Sequence, residues 1–244
     1  MTARRIASLA AALLATLALT ACSVEMVEAD DARPNDAGPA VSEPATPSGA
    51  AGGPAPDLSL ADAIAKLPVA TEVRDGYERD SFKHWVDEDS DTCNTRAEVL
   101  KAEAVVAPEQ GPRCTLTGGQ WFSYYDEVTV DDPKKLDIDH MVPLAESWDS
   151  GASEWTAERR EAYANDLGAE RSLLAVTAKT NRSKSDKDPQ DWMPPAESAR
   201  CTYLVDWTAT KLRWSLSADE AEVAALRELA ADCPDSTVQY ELAL

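Results

Sequence analysis

The chain carries two histidines, His84 and His140, and the residues around the second could do chemistry. His140 stands in Leu136-Asp-Ile-Asp-His-Met-Val-Pro-Leu144, directly after Asp139. Further along come Ser172-Leu-Leu-Ala-Val176 and then Thr180-Asn-Arg-Ser-Lys-Ser-Asp-Lys-Asp-Pro189, which holds Asn181, Arg182 and Lys184. An imidazole that titrates near neutrality can take a proton from water. A carboxylate and an amide oxygen are hard ligands, suited to Mg²⁺ or Mn²⁺ with several waters kept. Basic side chains beside them can meet an anion. A zinc site is a poor competitor, because no cysteine pair has Cys-x-x-Cys spacing.

These residues need elements to hold them. Residues 136–142 alternate apolar and polar and then meet Pro143, which predicts a strand ending there. Residues 173–176 read as a second short strand. Residues 180–187 have few large apolar side chains and predict a short exposed helix, with Asp188-Pro189 as N-cap and first position of a further turn. Strand, strand, short helix, with Asp-His on the first strand and Asn on the helix, is the layout of a ββα-metal site. Adjacent strand residues point to opposite faces. Asp139 and His140 can therefore share a site only if the strand ends or twists at that point, as Pro143 allows. Between the strands, 156–167 predicts a charged helix with Thr156 as N-cap and Glu158 in its first turn. Upstream, 58–67 has helical spacing, 71–120 has no clean period, and the aromatic run 121–125 reads as a strand. Downstream, 196–214 predicts one helix. Ser217-x-x-Glu220 reads as a capping box opening a second, which ends near Cys233-Pro234.

Together these segments resemble the HNH nuclease superfamily, which includes the HNH domain of RNA-guided CRISPR effector nucleases. They look closer to small secreted bacterial HNH-family proteins that share the domain found at the C-terminus of type IV modification-dependent restriction enzymes. A lone Asp-His dipeptide would be a weak signal; Asp-His-x-Val-Pro-Leu followed by Asn-Arg-x-Lys-Ser-Asp is a strong one. The likeness is densest from Trp121 to Pro195, and Tyr77-Glu-Arg-Asp80, His84-Trp85 and Cys93-Asn-Thr-Arg96 also look like the secreted members. The resemblance implies an α+β fold: a ββα-metal centre embedded in a mainly helical domain. It implies His140 as general base, with Asp139 and Asn181 holding one Mg²⁺ or Mn²⁺. Lys184 and Arg182 would meet the substrate phosphate. Arg96 would either clasp phosphate or form an internal ion pair. The reaction implied is cleavage of DNA, with RNA as a second substrate, leaving a 5′-phosphate. Many members carry a middle Asn on the second strand that orients the catalytic His. Here that place falls near Ser172, and Asn165 is the nearest Asn upstream. His84 beside Trp85 reads as structural, Lys134 and Lys135 as a solvated turn, and the tryptophans as core.

Composition bounds the rest. The 244 residues carry 44 Asp plus Glu against 23 Lys plus Arg, a formal net charge of -21. Such a chain repels a polyanion at long range, so a phosphate-handling site must rest on local basic residues and a metal. Arg4, Arg5 and the apolar run 6–19 read as an export signal, too short to span a membrane comfortably. The run ends in Leu19-Thr20-Ala21-Cys22, like a bacterial lipobox, so residues 1–22 are expected to be a lipoprotein signal peptide with a lipid on Cys22; the alternative is an ordinary cleaved signal peptide and a secreted protein. Residues 23–57 hold seven acids, one Arg, six prolines and four glycines, a composition that predicts a disordered acidic linker of net charge -6 (seven minus one). The nuclease domain is placed at 58–244, with its core motif at 121–195 and a C-terminal helical hairpin at 196–233. The other four cysteines suggest two disulfides in an exported chain. Of three possible pairings, Cys93–Cys114 and Cys201–Cys233 are favoured; antiparallel neighbours would bring Cys201, early in one helix, near Cys233 at the end of the next. The expected partners are nucleic acid and, only through the lipid, a membrane; the expected state is a monomer. A non-catalytic surface lipoprotein that keeps the fold for binding, and a phosphodiesterase acting on small substrates, are the rival readings.

Overall fold

The computed structural model describes residues 57–243. The export signal, Cys22 and all of the acidic linker except Asp57 lie outside the described residues.

The architecture is mixed α+β, with four small antiparallel sheets of two strands each among the described residues. The chain opens with β1 (Leu58–Ser59) and α1 (Leu60–Ile64), so the helical reading of 58–67 holds only for its middle. There Ser59 accepts a hydrogen bond from the Asp62 amide and caps the helix. Helix α2 (Thr95–Ala102) follows, capped by Asn94, and then β2 (Glu109–Gln110), β3 (Leu116–Thr117), β4 (Trp121–Ser123) and β5 (Val128–Val130). Strand β6 (Leu136–His140) leads through Pro143 into α3 (Leu144–Asp149) and α4 (Ala157–Ala164), where Thr156 accepts from the Arg159 amide. Strand β7 (Leu173–Thr177) then runs straight into α5 (Ala178–Lys184). Helices α6 (Arg200–Trp214) and α7 (Glu220–Ala230) precede β8 (Thr237–Val238), which pairs with β1 and brings the two ends of the described chain together.

Three local expectations change. The helix predicted over 196–214 begins with a 3₁₀ turn, Glu197–Ala199. The capping box at Ser217 does not form: Asp219 caps α7 by accepting from the Glu222 amide, while the Ser217 hydroxyl donates to the Ser150 carbonyl. Helix α5 is less exposed than predicted, with Thr180 and Lys184 both buried.

Two apolar clusters surround the β6–β7 hairpin. The larger centres on α6, whose Tyr203, Leu204 and Trp207 are buried together with Phe82, Tyr125, Val142 and Tyr163. The smaller places Leu136, Ile138, Leu173 and Ala175 against Trp121 and Leu100. Bonds Cys93–Cys114 and Cys201–Cys233 are both formed, with Cα–Cα distances of 5.0 and 5.6 Å. The interior also holds charge. Lys211 is fully buried and donates to Glu146 and Glu222 as well as to Ser150 and the Ser217 carbonyl. Such a group is tolerated only because every proton finds an acceptor.

Candidate active site

Strands β6 and β7 pair antiparallel from Leu136↔Thr177 to His140↔Leu173, and α5 packs back on both. The ladder closes with one further bond, Met141 amide to Ser172 carbonyl at 3.0 Å, before Pro143 turns the chain into α3. This termination answers the facing problem: Asp139 and His140 both line one cavity of about 490 Å³. Tyr77, Arg79, Asn181 and Arg182 line it too.

His140 is 6% exposed and lies between two rings, with Trp85 at 5.7 Å and Tyr163 at 6.4 Å. Its Nε2 is 3.0 Å from the Ala164 carbonyl oxygen. A carbonyl only accepts, so Nε2 carries the proton and Nδ1 keeps a lone pair. Burial, above all, pushes the imidazole down to about 3, and the positive charge of Arg79 adds to this. The ring is therefore neutral throughout the neutral pH range. Neither Ser172 nor Asn165 orients it. Ser172 donates to Asp166 at 2.7 Å. Asn165 donates to the Lys83 and Glu161 carbonyls and accepts from the Val86 amide and the Thr95 hydroxyl, tying α4 to the segment before α2. The backbone next to Asn165, not its side chain, holds the histidine.

Asp139 is 4% exposed, and its two oxygens differ. Oδ2 accepts from the Tyr125 hydroxyl at 2.6 Å and from Lys184 Nζ at 2.6 Å. Oδ1 has no hydrogen-bond donor among the described residues. Burial pushes the carboxyl up and the Lys184 ammonium down. We hold the pair to be charged, because Lys184 also donates to the His140 and Met141 carbonyls and so has three acceptors for three protons. Lys184 is fully buried and is absent from the cavity wall, so its expected place on a substrate phosphate is not the one it occupies. Asn181 turns its amide nitrogen toward Asp137 Oδ2 at 3.4 Å, which leaves its amide oxygen unengaged. Asp139 and Asn181 both line the cavity, and each keeps an oxygen with no hydrogen-bond donor among the described residues, the type of hard donor a divalent cation takes.

The expected cationic contacts also separate. Arg182 is 75% exposed in its side chain, lines the cavity and leans on Asp137 at 3.4 Å. Arg96 lies elsewhere: it donates to the Pro133 and Leu136 carbonyls at 3.1 and 2.8 Å and fastens α2 to the start of β6. It thus makes neither the phosphate contact nor the ion pair. His84 bonds the Phe82 carbonyl at 2.9 Å and meets Trp85 edge-on, a structural placement. Sequence reasoning misses two residues of this site. Trp85 covers His140 from a left-handed backbone conformation (φ 62°), rare for so bulky a residue. Arg79 reaches the cavity from outside the ββα segment; its sequence signal was the Tyr77-Glu-Arg-Asp80 element.

A family model described as "GmrSD restriction endonucleases, C-terminal domain" matches residues 110–229. A fungal protein of Arthroderma benhamiae, described as an uncharacterized secreted protein, is 42% identical over 160 residues, which is 66% of this chain and 77% of that protein. No solved structure matches the chain.

Proposed function

The chain belongs to the family of the C-terminal domain of GmrSD restriction endonucleases, and from that membership and the cavity's chemistry we propose that it is an HNH-type nuclease hydrolysing phosphodiester bonds of DNA, with RNA as a second substrate. The observation that carries the reading is His140: an imidazole whose Nε2 is held by a backbone carbonyl, so that Nδ1 keeps its lone pair, on a cavity that Asp139 and Asn181 also line.

In this reading His140 Nδ1 takes a proton from the attacking water. The depressed imidazole is unprotonated but a weaker base than a free one, and an arriving phosphate anion, whose field opposes that of Arg79, raises its proton affinity. Asp139 and Asn181 would hold one Mg²⁺ or Mn²⁺, which supplies charge neutralisation for the phosphate and the departing oxygen. Lys184 and Tyr125 do not touch substrate; they fix which Asp139 oxygen faces the cavity. Plasmid and RNA degradation with Mg²⁺, with EDTA and with His140→Ala tests this. Cleavage that needs the metal and drops by about 10²–10⁴ in the variant is expected, with an unchanged circular-dichroism spectrum. Equal rates for His140→Ala and wild type would remove His140 from the mechanism.

We also propose that the protein is exported and held by a lipid on Cys22. The secreted description of the fungal relative and the residues 1–22 support export; the Leu-Thr-Ala-Cys sequence supports the lipid. In cell fractionation the wild type should follow the membrane and Cys22→Ser the medium. Identical fractions would exclude the anchor.

A further inference from the structure

The cations around the cavity are nearly all committed. Arg74 is bound by Asp149 and by Asp186, a carboxylate of the cavity wall, at 2.5 and 2.9 Å. Lys184 is spent on Asp139, and Arg182 leans on Asp137. Arg79 differs. It is exposed, it lines the same cavity as His140, and among the described residues no carboxylate lies within ion-pair distance of it. Arg113, Arg200 and Arg227 are also exposed with no carboxylate at ion-pair distance among the described residues; what sets Arg79 apart is its place on the wall of the His140 cavity.

Its mounting is rigid. Arg79 begins a 3₁₀ turn, Arg79–Ser81, anchored on both sides. Phe82, fully buried, packs edge-on against Trp148 at 6.4 Å and Tyr163 at 6.1 Å. Tyr77 packs against the same Trp148 at 6.0 Å, and Arg160 Nε donates to the Ser81 carbonyl at 3.2 Å. The backbone that carries Arg79 is thereby held at the cavity, and its planar guanidinium fork suits two oxygens of a planar or tetrahedral anion.

We propose that Arg79 is a phosphate-contacting residue of this site, its guanidinium meeting the non-bridging oxygens of the phosphodiester presented to His140. The proposal rests on the nuclease reading. It also explains how so acidic a protein holds a polyanion at this cavity: of the two arginines on the cavity wall, Arg79 is the one with no carboxylate at ion-pair distance among the described residues.

Binding of a fluorescein-labelled DNA duplex to the His140→Ala protein, measured by anisotropy across a salt series, tests it. Adding Arg79→Ala should weaken binding about tenfold and lower the slope of log K against log salt by about 1, as loss of one phosphate contact does. Arg79→Lys should recover part of the affinity, since it keeps the charge without the fork. Arg227→Ala removes an equal charge from the exposed face of α7 and should change affinity by less than about twofold, because distant exposed charges are screened. Equal melting temperatures check the folds. If Arg79→Ala binds with the parent's affinity and slope, or Arg227→Ala loses as much, the assignment fails while the nuclease reading stands. If wild type neither binds nor cuts DNA or RNA, the nuclease reading fails instead. Arg79→Ala with His140 intact is then compared with wild type in hydrolysis of bis(p-nitrophenyl) phosphate: a raised KM keeps the phosphate contact. An unchanged KM, or no hydrolysis by wild type, removes it.

Discussion

Lys184 and Asp139 show how a residue's type can be right for a site while its task is misread. A lysine three residues after Asn181 shares its helix face, which suggests a phosphate contact. In the folded chain that face turns inward, and Lys184 meets a carboxylate and two carbonyls at 2.6–2.9 Å with no exposure. Removing one partner of such a pair leaves a buried charge uncompensated. Lys184→Met is therefore expected to lower stability by about 3–5 kcal/mol, with Mn²⁺ binding by calorimetry weakened in whatever fraction stays folded. Urea denaturation decides between the roles: a phosphate contact at the surface would leave the midpoint unchanged. Ser172 and Asn165 were likewise plausible partners for His140 by type. Each is fully occupied by other groups, and a main-chain carbonyl, which no side-chain pattern reveals, takes the task.

At the scale of elements, the hairpin β6–β7 and helix α5 bring Asp139, His140 and Asn181 to one cavity, and other elements brace them. Helix α2 backs the hairpin through Val99 and Leu100, and Glu103 just after it accepts from the Ala175 amide at 2.8 Å. Helix α6 supplies the opposite wall of core. The Cys201–Cys233 bond joins the first turn of α6 to the chain just after α7, closing 32 residues of sequence separation. Opening it by Cys201→Ala with Cys233→Ala restores that loop's entropy to the unfolded chain, at a cost of about 3–4 kcal/mol in the chain-entropy model. Thermal melting should show this loss, while cleavage at low temperature changes little, because α6 contributes no residue to the cavity wall. A loss of activity without a loss of stability would contradict that division.

The whole molecule is acidic, and several of its acids are buried. Burial raises Glu103, Glu72 and Glu222 to about 7 and Asp206 to about 6. A raised carboxyl binds its proton more tightly in the folded than in the unfolded chain. Its contribution is complete below the unfolded value and is lost as pH rises through the folded one. Asp186, held low by its hydrogen bond to Arg74, behaves oppositely: its contribution is present above the ordinary carboxylate value and fades as pH falls. Asp166 is also lowered; Arg213, Ser172 and Trp214 outweigh the burial that opposes them. The melting temperature is therefore expected to peak between about pH 4.5 and 6 and to decline toward pH 8. Glu103→Gln keeps an acceptor for the Ala175 amide without the charge, so it should flatten the decline. A melting temperature that climbs steadily from pH 5 to 8 would show that these acids are not raised.

The sequence by itself determined the local elements with strong signals. Alternation up to Pro143 marks β6, the apolar 173–176 marks β7, and Thr156 marks the start of α4; each depends on neighbours within a few residues. It also sufficed for the two disulfides, whose partners lie 21 and 32 residues apart, and its motif pointed to Asp139, His140 and Asn181, which line one cavity. Only the tertiary structure decided who serves whom. Arg79 joins the wall of the His140 cavity from about sixty positions away, Lys184 reaches Asp139 across 45, and Arg96 reaches the carbonyl of Leu136 across 40. The physical reason is competition. A buried donor must find whichever acceptor packing brings within about 3 Å, and that choice depends on the whole core rather than on the residue's own type.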